Sequence, residues 1–175
     1  LPDEDYLAEQ MDTVDVDGIH AARVFTRRGL AAELEQEFLL RFKSAAPEGP
    51  YSKSPEAIAK RSLRNVCLSF LAEMPNGAEL CSKQLASSDN MTDTLAALGS
   101  LVRTSNTAAV AALSEFEQQW KNDALVMDKW FALQASQPGH DSVERVTRLM
   151  SHPSFIMRNP NKIRSLIGAF AMLNP

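Results

Sequence analysis

Three cations crowd one short stretch of this chain: Arg158, Lys162 and Arg164, in "RNPNKIRSLIGAFAMLNP" at residues 158–175. Asn161 is the expected N-cap of a helix there, because Ile163, Leu166, Ile167 and Phe170 follow at the i, i+3, i+4, i+7 spacing of a single face. All three cations then fall near the helix N-terminus, where the macrodipole already favours negative charge and where acidic side chains are the usual choice. A carboxylate would relieve that arrangement, since backbone N–H groups, dipole and guanidinium all attract the same anion. Arg164 is the substrate-binding candidate, with Arg158 and Lys162 as possible further anion contacts. On a helical wheel Arg164 borders the apolar face, one turn before Gly168 and near Ala171, so little side-chain bulk covers it. The competing reading is an arginine that packs its stem on neighbours and turns its head to water or a nearby acid.

The residues that other chemistries require are not assembled locally. A catalytic zinc site needs two imidazoles one helical turn apart and a carboxylate. His20, His140 and His152 are widely separated and none opens an H-E-x-x-H motif, so each reads as a surface or loop histidine. There is no G-x-S-x-G elbow and no glycine-rich phosphate loop. Cys67 and Cys81 lie in apolar-periodic segments and read as buried free thiols. Asn90-Met91-Thr92 fits a glycosylation acceptor, but Asn90 stands where an N-cap belongs, which is the favoured reading. No catalytic residue and no metal ligand is assigned, and no cofactor is expected in this chain itself.

The elements that must position these residues are helical. At 175 residues the chain can bury roughly 70% of its unfolded surface and build a core without staples. Its formal net charge of −4 argues against a nucleic-acid backbone as partner. No apolar run approaches the ~18 residues that suggest a membrane span, and "LPDEDYLAEQ" does not read as a signal peptide. Helical periodicity predicts an all-α chain with helices over 3–11, 17–28, 30–45, 55–73, 77–87, 91–103, 106–120, 123–136, 142–151 and 162–173. Gly29 is taken as a break, "APEGPYSKSP" as a loop ending in Ser54 as N-cap and Pro55 at N1, and Asp141 with Glu144 as a capping box. In 55–73 an apolar stripe of Ile58, Ala59, Leu63, Val66, Cys67, Phe70 and Leu71 lies opposite Lys60, Arg61 and Arg64. In 124–135 apolar residues surround most of the helix, so Trp130 and Phe131 read as core. Such helices joined by short links should pack as antiparallel hairpins in a superhelical, solenoid-like array of the armadillo or HEAT kind.

Several stretches taken together carry a more specific signal: "IAKRSLRNVCLSFLA" (58–72), "DNMTDTLAAL" (89–98), "LVMDKWFALQA" (125–135), "HPSF" (152–155) and "NPNKIRSLIGAFAMLNP" (159–175). In this order they resemble the C-terminal helical domain of bacterial aminopeptidase N, a zinc metallo-aminopeptidase of the gluzincin class. The resemblance implies that residues 1–175 are a single all-α piece of that domain, with the catalytic domain upstream and further helices downstream. It implies zinc in the parent enzyme, bound by an upstream domain whose H-E-x-x-H and Gly-x-Met-Glu-Asn motifs have no counterpart here. The helical domain of the family closes over the active site and forms an internal cavity. The arginine of "RSLIGAF" lines that cavity, and it matches Arg164.

Two functions follow as expectations. One is a noncatalytic, cavity-forming part of a broad-specificity, cytoplasmic aminopeptidase that releases N-terminal residues from peptides, partnered by peptide substrate and by the parent's catalytic domain and inactive alone. The other is a free-standing helical-repeat scaffold that binds a peptide or protein. If the last helix lacks its next neighbour, Ile163, Leu166, Ile167 and Phe170 should present apolar surface and favour self-association.

Overall fold

In the computed structural model, which describes residues 1–174, many helices start where a side-chain oxygen meets an unpaired backbone N–H. Asp3 accepts from Tyr6 N–H at α1 (Glu4–Ala8) and Asp15 from Gly18 at α2 (Val16–Glu33). After α3 (Glu35–Ser44), Ser54 accepts from Ala57 N–H at α4 (Pro55–Leu71), with Pro55 at the first helical position as expected. After α5 (Gly77–Ser87), Asn90 Oδ1 accepts from Asp93 N–H at 3.0 Å and caps α6 (Met91–Arg103). Following α7 (Ala108–Trp120), Asp123 caps α8 (Ala124–Ala135) through Leu125 and Val126 N–H. The chain ends in α9 (Ser142–Leu149), α10 (Pro160–Ile163), a π-helical turn over Arg164–Gly168, and α11 (Ala169–Leu173). The described residues are thus all-α, and none of their helices is long and apolar enough to cross a membrane.

Three local expectations are corrected. Gly29 does not break a helix: α2 runs through it to Glu33, and the interruption falls at Leu34, whose N–H still bonds Leu30 O. One helical glycine costs only about 1 kcal/mol, which the surrounding turns of helix offset. Asp141 forms no capping box, because its carboxylate instead meets the Arg145 guanidinium at 2.9 Å. The face of α4 is rotated from the expected stripe: Cys67, Leu68 and Leu71 are buried, while Ile58, Leu63 and Val66 are exposed. Arg64 sits on the inner side instead, its guanidinium 4.2 Å from the Phe42 ring centre and bonded to Gln84 Oε1. Burial of its head depresses the Arg64 pKa below the ordinary arginine value.

The helices gather into two compact units, Leu1–Ser100 and Leu101–Asn174. Within the first, α3 and α4 run antiparallel: Phe38 stacks on Phe70 at 4.7 Å, and one turn further along α3, Phe42 meets Arg64, one turn or more earlier on α4. The turn into α5 brings Gly77 against the backbone of α4, where a Cβ would overlap the Leu71 carbonyl oxygen and Ala72 Cα, so only glycine fits. Cys67 and Cys81 are buried in this core, as are Leu68, Leu71 and Leu98, and are not joined in a disulfide. A polar network crosses it: Gln84 donates to Asn65 Oδ1 and to Asp93 O, and Asn65 and Asn90 donate to the Asp93 carboxylate.

In the second unit α8 is the central element, as its apolar circumference predicts. Val126, Met127, Trp130, Phe131 and Ala135 are buried, and Leu125 alone of its large apolar residues is exposed. Trp130 donates its indole N–H to Leu113 O at 2.9 Å, which satisfies the one polar atom of a buried ring. His152 lies in a turn, as expected, but its ring is packed 5.1 Å from Trp130 and 5.5 Å from Phe131. Ser154 N–H donates to His152 Nδ1, so the ring proton sits on Nε2 and is donated to Glu117 Oε1 at 3.0 Å.

Candidate functional site

The three cations of residues 158–164 are brought to different environments. The helix begins two residues earlier than expected, at Pro160, with Asn159 as N-cap accepting from Asn161 N–H; Asn161 is not the cap. Proline at the first helical position has its φ already set and lacks an N–H that would need a partner, which decides the boundary. Arg158 therefore precedes the helix and is exposed.

Lys162 is 3% exposed, and its ammonium is already committed. Nζ lies 2.8 Å from Asp128 Oδ1, donates to Ala124 O at 2.8 Å, and sits 5.5 Å from the centre of the Phe131 ring. An ammonium satisfied on these sides has no reason to seek a ligand anion, so Lys162 is a tether of the helix to α8 rather than a third anion contact. The Ser165 hydroxyl adds to the tether, shared between Lys162 O at 3.0 Å and Asp128 Oδ1 at 3.3 Å. Leu166 and Ala169 complete the inward face, both buried.

Arg164 is left on the opposite side. It is exposed, and among the described residues neither it nor Arg158 makes a hydrogen bond or ion pair. Of the competing reading of Arg164, the pairing of its head with a neighbouring acid is absent among the described residues, while a head turned to water fits its exposure. Its stem runs beside Gly168, where a Cβ would stand 3.8 Å from Arg164 Cβ, so the missing side chain keeps that flank open. The backbone at Arg164 is also unusual, because Ala169 N–H bonds Arg164 O across five residues, inserting one residue into the turn.

The apolar residues of this helix are less open than expected. Ile163, Ile167 and Phe170 are half-buried and Leu166 fully buried, because they pack within their own unit; Met172 and Leu173 are the exposed ones, at 83% and 62%. Asp128 was readable in sequence only as a polar interruption of α8. A lone acid in an otherwise apolar helix needs a buried partner, and the Lys162 that supplies it is too distant along the chain for periodicity to reveal.

A charged cavity lies in the first unit, about 260 Å³ in volume, beneath the loop at 46–54. Its cations and Asp89 are engaged within the lining. Lys60 bonds Glu48, Arg61 donates to Ser52 O and lies over the Tyr51 ring, and Asp89 accepts from Tyr51 N–H and Asn90. Among the described residues no three His, Cys, Asp or Glu gather as metal ligands. His20 contacts Glu4 and His152 contacts Glu117, one acid each, so these residues do not fit a zinc ion.

Comparison with known proteins meets this geometry along the whole chain. A family model described as a domain of unknown function (DUF3458_C) with ARM repeats matches residues 1–175. The chain belongs to that family. Aminopeptidase N of Haemophilus influenzae is 44% identical over 174 residues, covering 99% of this chain and 20% of that protein. Aminopeptidase N of Escherichia coli is 45% identical over 177 residues, covering 100% of the chain and again 20% of the relative. A crystal structure of Legionella pneumophila aminopeptidase A in complex with aspartic acid superposes with a TM-score of 0.87 at 31% identity, over 100% of this chain and 22% of that one. The resemblance to the helical domain of bacterial aminopeptidase N is thus shown, as is the solenoid-like, armadillo class of the fold. The chain spans about a fifth of the length of the curated relatives it matches.

Proposed function

We propose that this chain is a noncatalytic helical part of a broad-specificity zinc aminopeptidase that removes N-terminal residues from peptides. It forms part of the substrate cavity and supplies one binding group to it. The whole of residues 1–175 then belongs to a single all-α domain, joined in the parent to a catalytic domain that holds the zinc. The match of the full chain to aminopeptidases supports this, and buried cysteines not joined in a disulfide, Cys67 and Cys81, suit a cytoplasmic location.

The observation that carries the reading is the exposed Arg164 guanidinium, without a partner among the described residues, beside a lysine and an aspartate that satisfy one another. Metal and amine-anchoring groups belong to the catalytic domain, so Arg164 acts on the distal part of the peptide, where its planar fork fits a carboxylate. Arg158 gives weaker, longer-range attraction from the same end. Such a contact is made equally in ground and transition states and raises affinity without raising turnover.

Steady-state kinetics of the full-length parent tests this. Arg164→Ala should raise KM for peptides by the equivalent of about 1–3 kcal/mol with kcat retained, and the increase should shrink for single-residue chromogenic amides, which have no distal end. Arg164→Lys should recover part of the loss, because charge remains and the bidentate geometry does not. A fall in kcat of equal size for peptides and amides, with KM unmoved, contradicts the reading.

A further inference from the structure

We propose that the buried Asp128–Lys162 pair is a positioning device that fixes the direction of Arg164; this rests on the substrate-contact reading of Arg164 above. Asp128 Oδ1 is the meeting point of the residues on both sides of Arg164: Lys162 Nζ lies 2.8 Å from it, and the Ser165 hydroxyl, shared with Lys162 O at 3.0 Å, lies 3.3 Å from it. With 162 and 165 pinned to α8, and Leu166 and Ala169 buried behind them, position 164 is turned to the open side of the helix.

The need for such a device comes from the π turn. Arg164–Gly168 carries one residue more than an α-turn accommodates, shown by the Ala169 N–H to Arg164 O bond. Relaxing that residue into regular α-helix would rotate one side of the turn by about 100° relative to the other. Apolar contacts alone tolerate such a slip poorly but do not specify which residue leads. A charge pair with one lysine and one acceptor oxygen does. Stability gives no reason for the choice, since replacing a buried ion pair by apolar side chains of like volume is often neutral or favourable. What such a pair supplies instead is register, which here is the register that presents Arg164.

The test uses the full-length parent enzyme with the double substitution Asp128→Leu/Lys162→Met, the single substitution Asp128→Asn, and Arg164→Ala, each alone and combined with Arg164→Ala. The expected result is a rise in peptide KM of at least 5-fold in the double variant with kcat within 2-fold of wild type, a smaller rise in Asp128→Asn, and no additional rise from either when Arg164 is already alanine. Asp128→Glu should recover more than half of the lost affinity. Should the double variant not fold, Asp128→Asn in the two backgrounds decides by the same non-additivity. If Arg164→Ala raises KM while the pair variants keep the wild-type value, or if the effects add fully, the pair is merely structural and the positioning role is wrong. If Arg164→Ala itself leaves KM unchanged, the substrate-contact reading fails and the positioning role falls with it.

Discussion

The cavity beneath the loop at 46–54 and the surface around Arg164 have similar ingredients and opposite chemistry. In the first, Lys60, Arg61 and Asp89 are each held by a partner inside the cavity's own lining. Around Arg164 one cation, Lys162, is neutralised by a buried acid, while Arg164 and Arg158 face outward without a partner among the described residues. Concavity and charge are present in the first region, but its cations are already engaged. A cation whose desolvation has already been offset by a partner gains little from a ligand, whereas an exposed guanidinium beside a satisfied lysine keeps its five donors for one.

The sharpest way to break this contrast is to expose the satisfied pair. Asp128→Ala leaves the Lys162 ammonium buried without its counter-charge and should cost about 3–5 kcal/mol. Both tryptophans, Trp120 and Trp130, lie in the unit Leu101–Asn174, so the fluorescence midpoint in denaturant reads the loss directly. An unchanged midpoint would mean that Lys162 is not dependent on Asp128. The polar network of the first unit should be less costly to cut. Gln84→Ala removes the bonds to Asn65, to Asp93 O and from Arg64, leaving half-buried and buried groups without them, for about 1–3 kcal/mol, to be measured by amide exchange in α4 and α5.

Smaller effects sharpen the same comparison. Gly168 is helical and a Cβ there meets nothing closer than 3.8 Å, so Gly168→Ala should stabilise by about 0.5–1 kcal/mol in thermal unfolding and leave the Arg164 flank open. Gly168→Leu should instead crowd the Arg164 stem and raise peptide KM. Burial pushes the Cys67 thiol above its ordinary value of 9.0, the nearby Arg41 opposing only in part. The raised folded value means that this contribution to stability is complete below pH 9.0 and is lost as pH rises through the folded pKa. Cys67 should therefore resist alkylation at neutral pH until the chain unfolds, and rapid labelling of the native protein would contradict its placement.

What the sequence disclosed follows the range of the forces involved. Ser54 and Asn90 act on N–H groups three residues away, and both caps were readable; so were the buried thiols and the core role of Trp130 and Phe131, which depend on periodicity. The features that escaped depend on contacts distant in the chain. The face of α4 turned because Arg64 found Phe42 and Gln84; Asp141 left its cap for Arg145; and Lys162 left the expected cluster for Asp128. The π turn at Arg164–Gly168 has no local signature in "RSLIG". Arg164, expected at the border of the apolar face, is exposed.

The measurement that bears most directly on Arg164 compares matched peptides with a free C-terminal carboxylate and with a C-terminal amide, on the full-length parent enzyme and its Arg164→Ala variant. The wild type should show a lower KM for the acid than for the amide, and the variant should lose that preference, by roughly 5-fold or more for a charge-assisted bond, with kcat retained for both. An acid-over-amide preference that survives intact in Arg164→Ala, or one that is absent from the wild type, would contradict the assignment of Arg164 to the distal carboxylate of the substrate.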